Sequence, residues 1–204
     1  MANSARLTFS SREIEFFDRP PFRREANGTF GVRDDLAFRI SRLPLLRFQT
    51  NILPCMPFSK PDLTQQPPRS PRVRLGGYVI LPRMLDKGRA MLAKKPGDYH
   101  FGCPLDKRFL AFTGIQLPAI RKLLASGRGD GEILAWIQAH AKPRRTEVEI
   151  QQWSAWQESR VPTSVDSREF FNELHQKVAM KREDITSWFD LLDLDDYVSF
   201  GGKA

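Results

Sequence analysis

The sequence holds few of the residues on which disulfide and metal sites depend. Its 204 residues include two cysteines and three histidines. Two cysteines are too few for a disulfide framework or for a zinc site of four cysteines. No apolar run approaches the roughly 20 residues that a membrane-spanning helix needs. We therefore predict a cytoplasmic protein with no metal, no cofactor and no membrane contact.

The first quarter of the chain has no lysine. Residues 1–55 contain nine arginines and six acidic residues, a net charge of +3, and the first lysine is Lys60. Their apolar residues follow no helical or strand period. They also lack the basic start and apolar run of a signal peptide. We interpret residues 1–55 as an N-terminal extension, either disordered or translated from a wrongly assigned start codon, with a functional basic arm as the third alternative.

Residues 56–204 have the pattern of a single, mainly helical domain. Apolar residues recur at helical spacing in about six short stretches, which predicts a compact helix bundle. Starts are predicted, in chain order, at Leu81, Leu117, Asp130, Thr146, Asp166 and Asp184 from proline and capping residues. The stretch Arg108–Phe112 is a candidate for one small strand pair. Prolines predict an extended entry to the domain, at Pro57, Pro61, Pro67, Pro68 and Pro71.

Charge is divided between the two halves of this domain. Residues 57–128 hold fourteen basic and four acidic residues (net +10), whereas residues 129–204 hold nine and fourteen (net −5). The basic half could bind an anion, since arginine makes bidentate contacts with phosphate and carboxylate groups. The candidate anion-binding residues are Arg69, Arg72, Arg74 and Arg83. The alternative is that these arginines pair with acidic residues of the other half, including Asp190, Asp193, Asp195 and Asp196.

The densest group of reactive side chains is Tyr99-His-Phe-Gly-Cys-Pro-Leu-Asp106. Cys103 is a candidate nucleophile, with His100 as its base and Asp106 to orient the imidazole. A thiolate needs such a base or a positive field, because a free cysteine has a pKa of about 8.5. The alternative is a structural cysteine in a tight Gly-Cys-Pro turn, with His100 bonded to the backbone.

Several motifs in order resemble a family of small bacterial proteins that is catalogued only as a domain of unknown function. They include Pro67-Pro-Arg-Ser-Pro-Arg-Val-Arg-Leu-Gly-Gly-Tyr78, Tyr99-His-Phe-Gly-Cys-Pro-Leu-Asp106, Phe109-Leu-Ala-Phe-Thr-Gly114, Trp153-Ser-Ala-Trp156 and Leu191-Leu-Asp-Leu-Asp-Asp-Tyr-Val-Ser-Phe-Gly-Gly-Lys203. The resemblance covers about residues 60–204 and implies that residues 1–55 lie outside the family pattern. It supplies no catalytic residues.

Three functions fit these observations. The first is a small binding protein whose basic, arginine-rich face engages an anionic partner: an acidic protein surface, a phosphorylated metabolite or nucleic acid. The second is a small enzyme that uses Cys103 with His100 or Asp106. The third is a structural or regulatory subunit that forms a homo-oligomer. The lack of a recognisable catalytic set favours the first function over an enzyme.

Overall fold

Seven α-helices follow one another in the part of the chain that the computed structural model describes, residues 60–179 and 181–203. They are α1 (Leu81–Leu92), α2 (Pro104–Thr113), α3 (Leu117–Ala125), α4 (Asp130–His140), α5 (Glu147–Glu158), α6 (Val165–Ala179) and α7 (Trp188–Ser199). The predicted mainly helical fold is confirmed. The extension predicted for residues 1–55, and the start of the domain at Met56, lie outside the described residues.

Proline and capping residues define several helix starts as predicted. Helix α1 begins at Leu81 with Pro82 in its first turn, and α3 begins at Leu117, as predicted. Helix α5 begins with a capping box: Glu149 N donates to Thr146 Oγ1 at 3.2 Å, and Thr146 N donates to the Glu149 carboxylate at 2.8 Å. These reciprocal bonds satisfy amides that have no partner inside the helix.

The strand considered for Arg108–Phe112 is wrong, because these residues belong to α2. Pro104 lies in the first turn of that helix, and Gly114 ends it in the left-handed conformation with φ 69°. These end signals outweigh the strand preference of the aromatic residues between them. Within the described residues, the antiparallel pairing is a single bridge, Leu75 to Tyr78.

The cap predicted for the last helix is also wrong. Ser187, not Asp184, is the N-cap of α7, and its hydroxyl accepts from Asp190 N at 3.1 Å. Asp184 instead accepts two hydrogen bonds from Arg182, at 2.6 and 2.7 Å. The serine occupies the extended position from which a side-chain oxygen reaches the N3 amide, and Asp184 lies three residues too early.

Helix α1 lies at the centre of the main hydrophobic core. Nine of its twelve residues are buried, and it packs against α2 and α3. Helices α6 and α7 pack on each other around a second hydrophobic cluster. In this cluster the rings of Phe171 and Trp188 pack edge-to-face, with their centroids 5.2 Å apart. Phe189 of α7 reaches the main core, so the C-terminal helix belongs to both clusters.

The proline-rich entry runs along α1. Leu63 N donates to Lys95 O just beyond the C-terminus of α1 (3.1 Å), and Ile80 N donates to Pro71 O at its N-terminus (2.9 Å). Pro68, between these two contacts, and Pro71, at the second of them, are buried. This course places the arginines of the entry beside the charged residues of α1.

Candidate functional site

Helix α1 carries two basic side chains into the protein interior. Arg83 is 4% exposed and Lys87 is 3% exposed, and as residues i and i+4 they lie on one face of the helix. A buried charge costs several kcal/mol unless it is paired. Arg83 donates to both oxygens of Asp196 (2.6 and 3.2 Å), and Lys87 donates to Asp106 at 2.8 Å.

The sulfur atom of Cys103 also contacts the ammonium group of Lys87. Lys87 Nζ is 3.0 Å from Cys103 Sγ. Asp106 is fully buried and Lys87 is 3% exposed, whereas Cys103 is partly exposed, so Cys103 is the residue of this group that is most open to solvent. We call Lys87, Cys103 and Asp106 the thiol cluster.

The start of α2 sets the position of the thiol cluster. Cys103 is the N-cap residue, but its side chain makes no capping hydrogen bond. Asp106 in the first turn accepts a hydrogen bond from Gly102 N at 2.8 Å. Gly102 has φ 86°, and a Cβ atom there would lie 2.5 Å from Leu117 Cδ2. Glycine therefore allows the loop to approach α3 while its amide holds the Asp106 carboxylate.

The electrostatic environment keeps Lys87 charged. Burial opposes the ammonium form, but the Asp106 carboxylate and the Cys103 sulfur outweigh burial, so the pKa of Lys87 lies above its ordinary value. An ammonium group that donates to a cysteine sulfur stabilises negative charge on that sulfur. The arrangement thus places an ammonium group, itself paired with the Asp106 carboxylate, 3.0 Å from the Cys103 sulfur.

The loop before Cys103 is attached to the second buried ion pair. The Tyr99 hydroxyl donates to Asp196 Oδ1 at 2.7 Å. The Arg83 guanidinium lies 5.4 Å from the centre of the Tyr99 ring, within the range of a cation–π contact. Arg83 and Lys87 therefore hold the two ends of the same short loop, one through Tyr99 and the other through Cys103.

The structure brings together two of the three residues predicted for a nucleophilic site. Cys103 and Asp106 meet through Lys87, which takes the place predicted for His100. The His100 side chain is exposed, and no hydrogen bond joins it to either residue in the described part of the chain. Sequence reasoning missed Lys87, because α1 also carries Asp86 and Arg89 and its sequence alone does not show which of these charged residues is buried.

The four arginines predicted to bind an anion all contact carboxylates of the protein. Arg69 pairs with Asp86 and Asp130, Arg72 with Asp190 and Asp193, Arg74 with Glu158, and Arg83 with Asp196. Apart from Asp86, these partners belong to the acidic half, as the alternative interpretation expected. Anion binding by the four arginines stays a prediction, and any anion would compete with these carboxylates.

One of these pairs predicts a pH dependence of stability. Burial opposes the charge of Asp190, but hydrogen bonds from Ser187 and Arg72 outweigh burial and lower the pKa of Asp190 to about 2. The ordinary value is 3.8, so the ionised carboxylate with its bonds from Ser187 and Arg72 stabilises the folded state above pH 4, and this stabilisation is lost as the pH falls towards 2. We expect Asp190→Asn to cost about 1 kcal/mol at pH 7, after allowance for solvent screening.

Urea unfolding at pH 7, 4 and 2.5 measures this effect. The difference between Asp190→Asn and the parent should shrink as the pH falls and be small at pH 2.5. Glu183→Gln is the matched control, because Glu183 is an exposed carboxylate just before the same helix. A difference for Asp190→Asn that stays constant across this pH range would contradict the assignment of the lowered pKa.

A cavity of about 490 Å³ lies elsewhere in the domain. It is lined by the Gly76-Gly77-Tyr78 turn, the end of α4 and the start of α5, including Arg144 and Arg145. None of its lining residues belongs to the thiol cluster.

Within residues 60–179 and 181–203, no three His, Cys, Asp or Glu side chains are grouped to hold a metal ion. None of the described helices is both long and apolar enough to cross a membrane.

Comparisons with known proteins identify the family of this chain. A search of curated proteins finds no match. Residues 65–198 match the family described as a domain of unknown function (DUF5069). This segment begins in the proline-rich entry, includes the thiol cluster and both buried ion pairs, and ends in α7. Because the match spans well over half of the chain, the protein belongs to the DUF5069 family.

Proposed function

We propose that the chain is a small enzyme in which Cys103 is the nucleophile and forms a covalent intermediate with an acyl substrate. The observation that carries this proposal is the 3.0 Å contact between Lys87 Nζ and Cys103 Sγ. The lysine is buried and held by Asp106, whereas Cys103 is partly exposed. An activated nucleophile of this kind needs a nearby positive charge and a path to its substrate.

The start of α2 supports acyl transfer in particular. The first amides of a helix have no partner within the helix and favour negative charge. The Leu105 amide follows Cys103 in that first turn, Pro104 contributes no amide, and the Asp106 residue is fully buried. The Leu105 amide is therefore the candidate donor for the oxyanion that forms when the thiolate attacks a carbonyl group. Lys87 would stabilise the sulfur before the attack and when the thioester breaks down.

The rate of alkylation of Cys103 tests the nucleophile. The full chain with Cys55→Ser leaves Cys103 as the single thiol. We expect Lys87→Met to slow the reaction of Cys103 with iodoacetamide at pH 7 by about tenfold or more, because the thiolate is the reactive form and the variant removes the positive charge 3.0 Å from the sulfur. Lys107→Met is the control, because it removes the same charge from an exposed position in α2 and should change the rate by less than about twofold.

A second measurement tests the covalent intermediate. Incubation with p-nitrophenyl acetate should add one acetyl group to Cys103, as mass spectrometry of the peptide would show. The proposal fails if Lys87→Met reacts at the parent rate, or if native Cys103 reacts no faster than in the unfolded chain.

A second candidate function, binding to an anionic partner, is supported by a different set of basic residues. Several cations of the described chain are exposed and lie outside its ion pairs: Lys94, Lys107, Arg121, Lys122, Arg128, Lys142 and Arg144. They could neutralise an anion without displacing an internal carboxylate. An acidic protein surface, a phosphorylated metabolite or nucleic acid would therefore meet these residues before the four arginines predicted from the sequence.

A further inference from the structure

We infer that oxidation by a hydroperoxide produces a covalent sulfur–nitrogen bond between Cys103 and Lys87. This cross-link would inactivate Cys103 as a nucleophile. The inference rests on the proposed function, because an oxidant must reach the sulfur as a substrate does. It adds a second reaction partner for that sulfur, the amine of the neighbouring lysine. The cross-link would be a modification site and a form of regulation of the same cluster.

The geometry brings the two reacting atoms into contact. Lys87 Nζ is 3.0 Å from Cys103 Sγ, and the lysine is 3% exposed. Its position is fixed on the other side by Asp106, which is fully buried and 2.8 Å away. Cys103, by contrast, is partly exposed. A small oxidant would therefore approach the cluster from the side of Cys103, because Lys87 and Asp106 are both buried.

The first step makes a sulfenic acid. The Cys103 thiolate attacks one oxygen atom of the hydroperoxide, so that an S–O bond forms and the O–O bond breaks. The sulfur is oxidised by two electrons and the peroxide is reduced by two. The oxygen that leaves takes up a proton and departs as water or an alcohol.

The second step makes the cross-link. Lys87 gives one proton to Asp106, and its amine attacks the sulfur, so that an S–N bond forms and the S–O bond breaks. The hydroxide that leaves takes the second proton from the nitrogen and departs as water. Sulfenic acids are known to condense with nitrogen in this way. In total, one thiol, one amine and one hydrogen peroxide give one sulfenamide and two water molecules.

The charge balance of the cluster favours this product. Before the reaction, a buried ammonium group faces a buried carboxylate. Afterwards the nitrogen is neutral and Asp106 is a neutral acid, so no unpaired charge remains in the interior. Any other route that removed the charge of Lys87 alone would leave a buried carboxylate without its partner, which is costly. Small thiols would reverse the link by attack on the sulfur.

Mass spectrometry of the full chain tests the cross-link. Cys55→Ser is again required, because a disulfide between Cys55 and Cys103 would change the mass by the same amount. Treatment with hydrogen peroxide should lower the mass of the folded protein by two hydrogen atoms. A tryptic digest should then contain one species in which the peptides of Lys87 and Cys103 are joined, and dithiothreitol should separate them.

Lys87→Arg is the control variant. It keeps a cation beside Asp106 but replaces the amine by a guanidinium, which is a poor nucleophile. Peroxide should then add oxygen atoms to Cys103 and form no link. If this variant fails to fold, fragmentation of the joined peptides from the parent still shows whether the link is at Nζ of Lys87.

Several outcomes would overturn the inference. If the parent gains oxygen atoms at Cys103 without a link, but is alkylated as proposed above, the cross-link fails and the nucleophile stands. If Cys103 resists both peroxide and iodoacetamide, both proposals fail. A joined species that also contains one extra oxygen atom would exclude the direct S–N bond.

Discussion

Replacing Asp106 by asparagine should lower the free energy of unfolding by about 3–5 kcal/mol, the usual cost of breaking a buried ion pair by removing one partner. Lys87 is 3% exposed and Asp106 is 0% exposed, so the lone ammonium group would have no access to water. Asp106 accepts from Lys87 with one oxygen and from Gly102 N with the other, whereas asparagine has a single acceptor oxygen and similar shape. The expected loss therefore reports both the unpaired charge of the lysine and the loss of one of these two hydrogen bonds.

The double variant Lys87→Met/Asp106→Asn separates stability from reactivity. Removing both charges should recover most of the lost stability, because a neutral pair needs no compensation. Alkylation of Cys103 should nevertheless stay slow, since the ammonium group is gone. Urea unfolding and iodoacetamide kinetics on the four proteins of this cycle measure both effects.

The control for this cycle is Glu169→Gln, which changes an exposed carboxylate of α6 and should alter stability by less than about 0.5 kcal/mol. If Asp106→Asn lowered the free energy of unfolding by less than about 1 kcal/mol, other groups would have to stabilise the charge of Lys87. The ion pair would then not be what keeps the thiol cluster together.

The second large effect is expected at Gly114, which ends α2. Its φ is 69°, and a Cβ atom at this position would lie 2.0 Å from Lys142 O, a backbone atom. Relief of this clash would displace the segment before α5 and break the hydrogen bond from Lys142 N to Thr113 O, now 2.9 Å. We expect Gly114→Ala to lower the free energy of unfolding by about 3 kcal/mol or more.

Gly127 provides a matched control for this prediction. Its φ is 76°, but a Cβ atom there would meet nothing within 4 Å. Gly127→Ala therefore carries the conformational cost alone, about 1–2 kcal/mol. Chemical denaturation of both variants measures the difference. If both variants lost the same free energy of unfolding, the loop at Lys142 would move aside at no energetic cost. The close approach at Gly114 would then not be a constraint.

Local signals in the sequence were sufficient for part of the fold. Proline in the first turn located the start of α1, and the capping box at Thr146 located the start of α5. The same kinds of signal flank α2, at Pro104 and Gly114, but the aromatic residues between them suggested a strand. The error arose because strand preference depends mainly on how side chains pack, which residues 108–112 alone do not determine.

The candidate site depended on contacts that local signals do not reveal. Cys103 and Asp106 are close in sequence and were predicted together. Lys87 comes 16 residues before Cys103, and a lysine in a helix is ordinarily exposed. Its burial becomes evident only when α2 places a carboxylate against α1. The pairing of the arginines was likewise left open, because Arg72 and Asp190 are 118 residues apart.

The ion pair between Arg83 and Asp196 has a consequence for the order of events during synthesis. The two residues are 113 positions apart, and a ribosome adds about 5–20 residues per second. The arginine is therefore made on the order of ten seconds before the carboxylate that neutralises it. Until then Arg83 has no carboxylate to neutralise it and must keep its contact with water. Helix α1, which carries Arg83, is therefore among the first helices to be made and among the last to be buried.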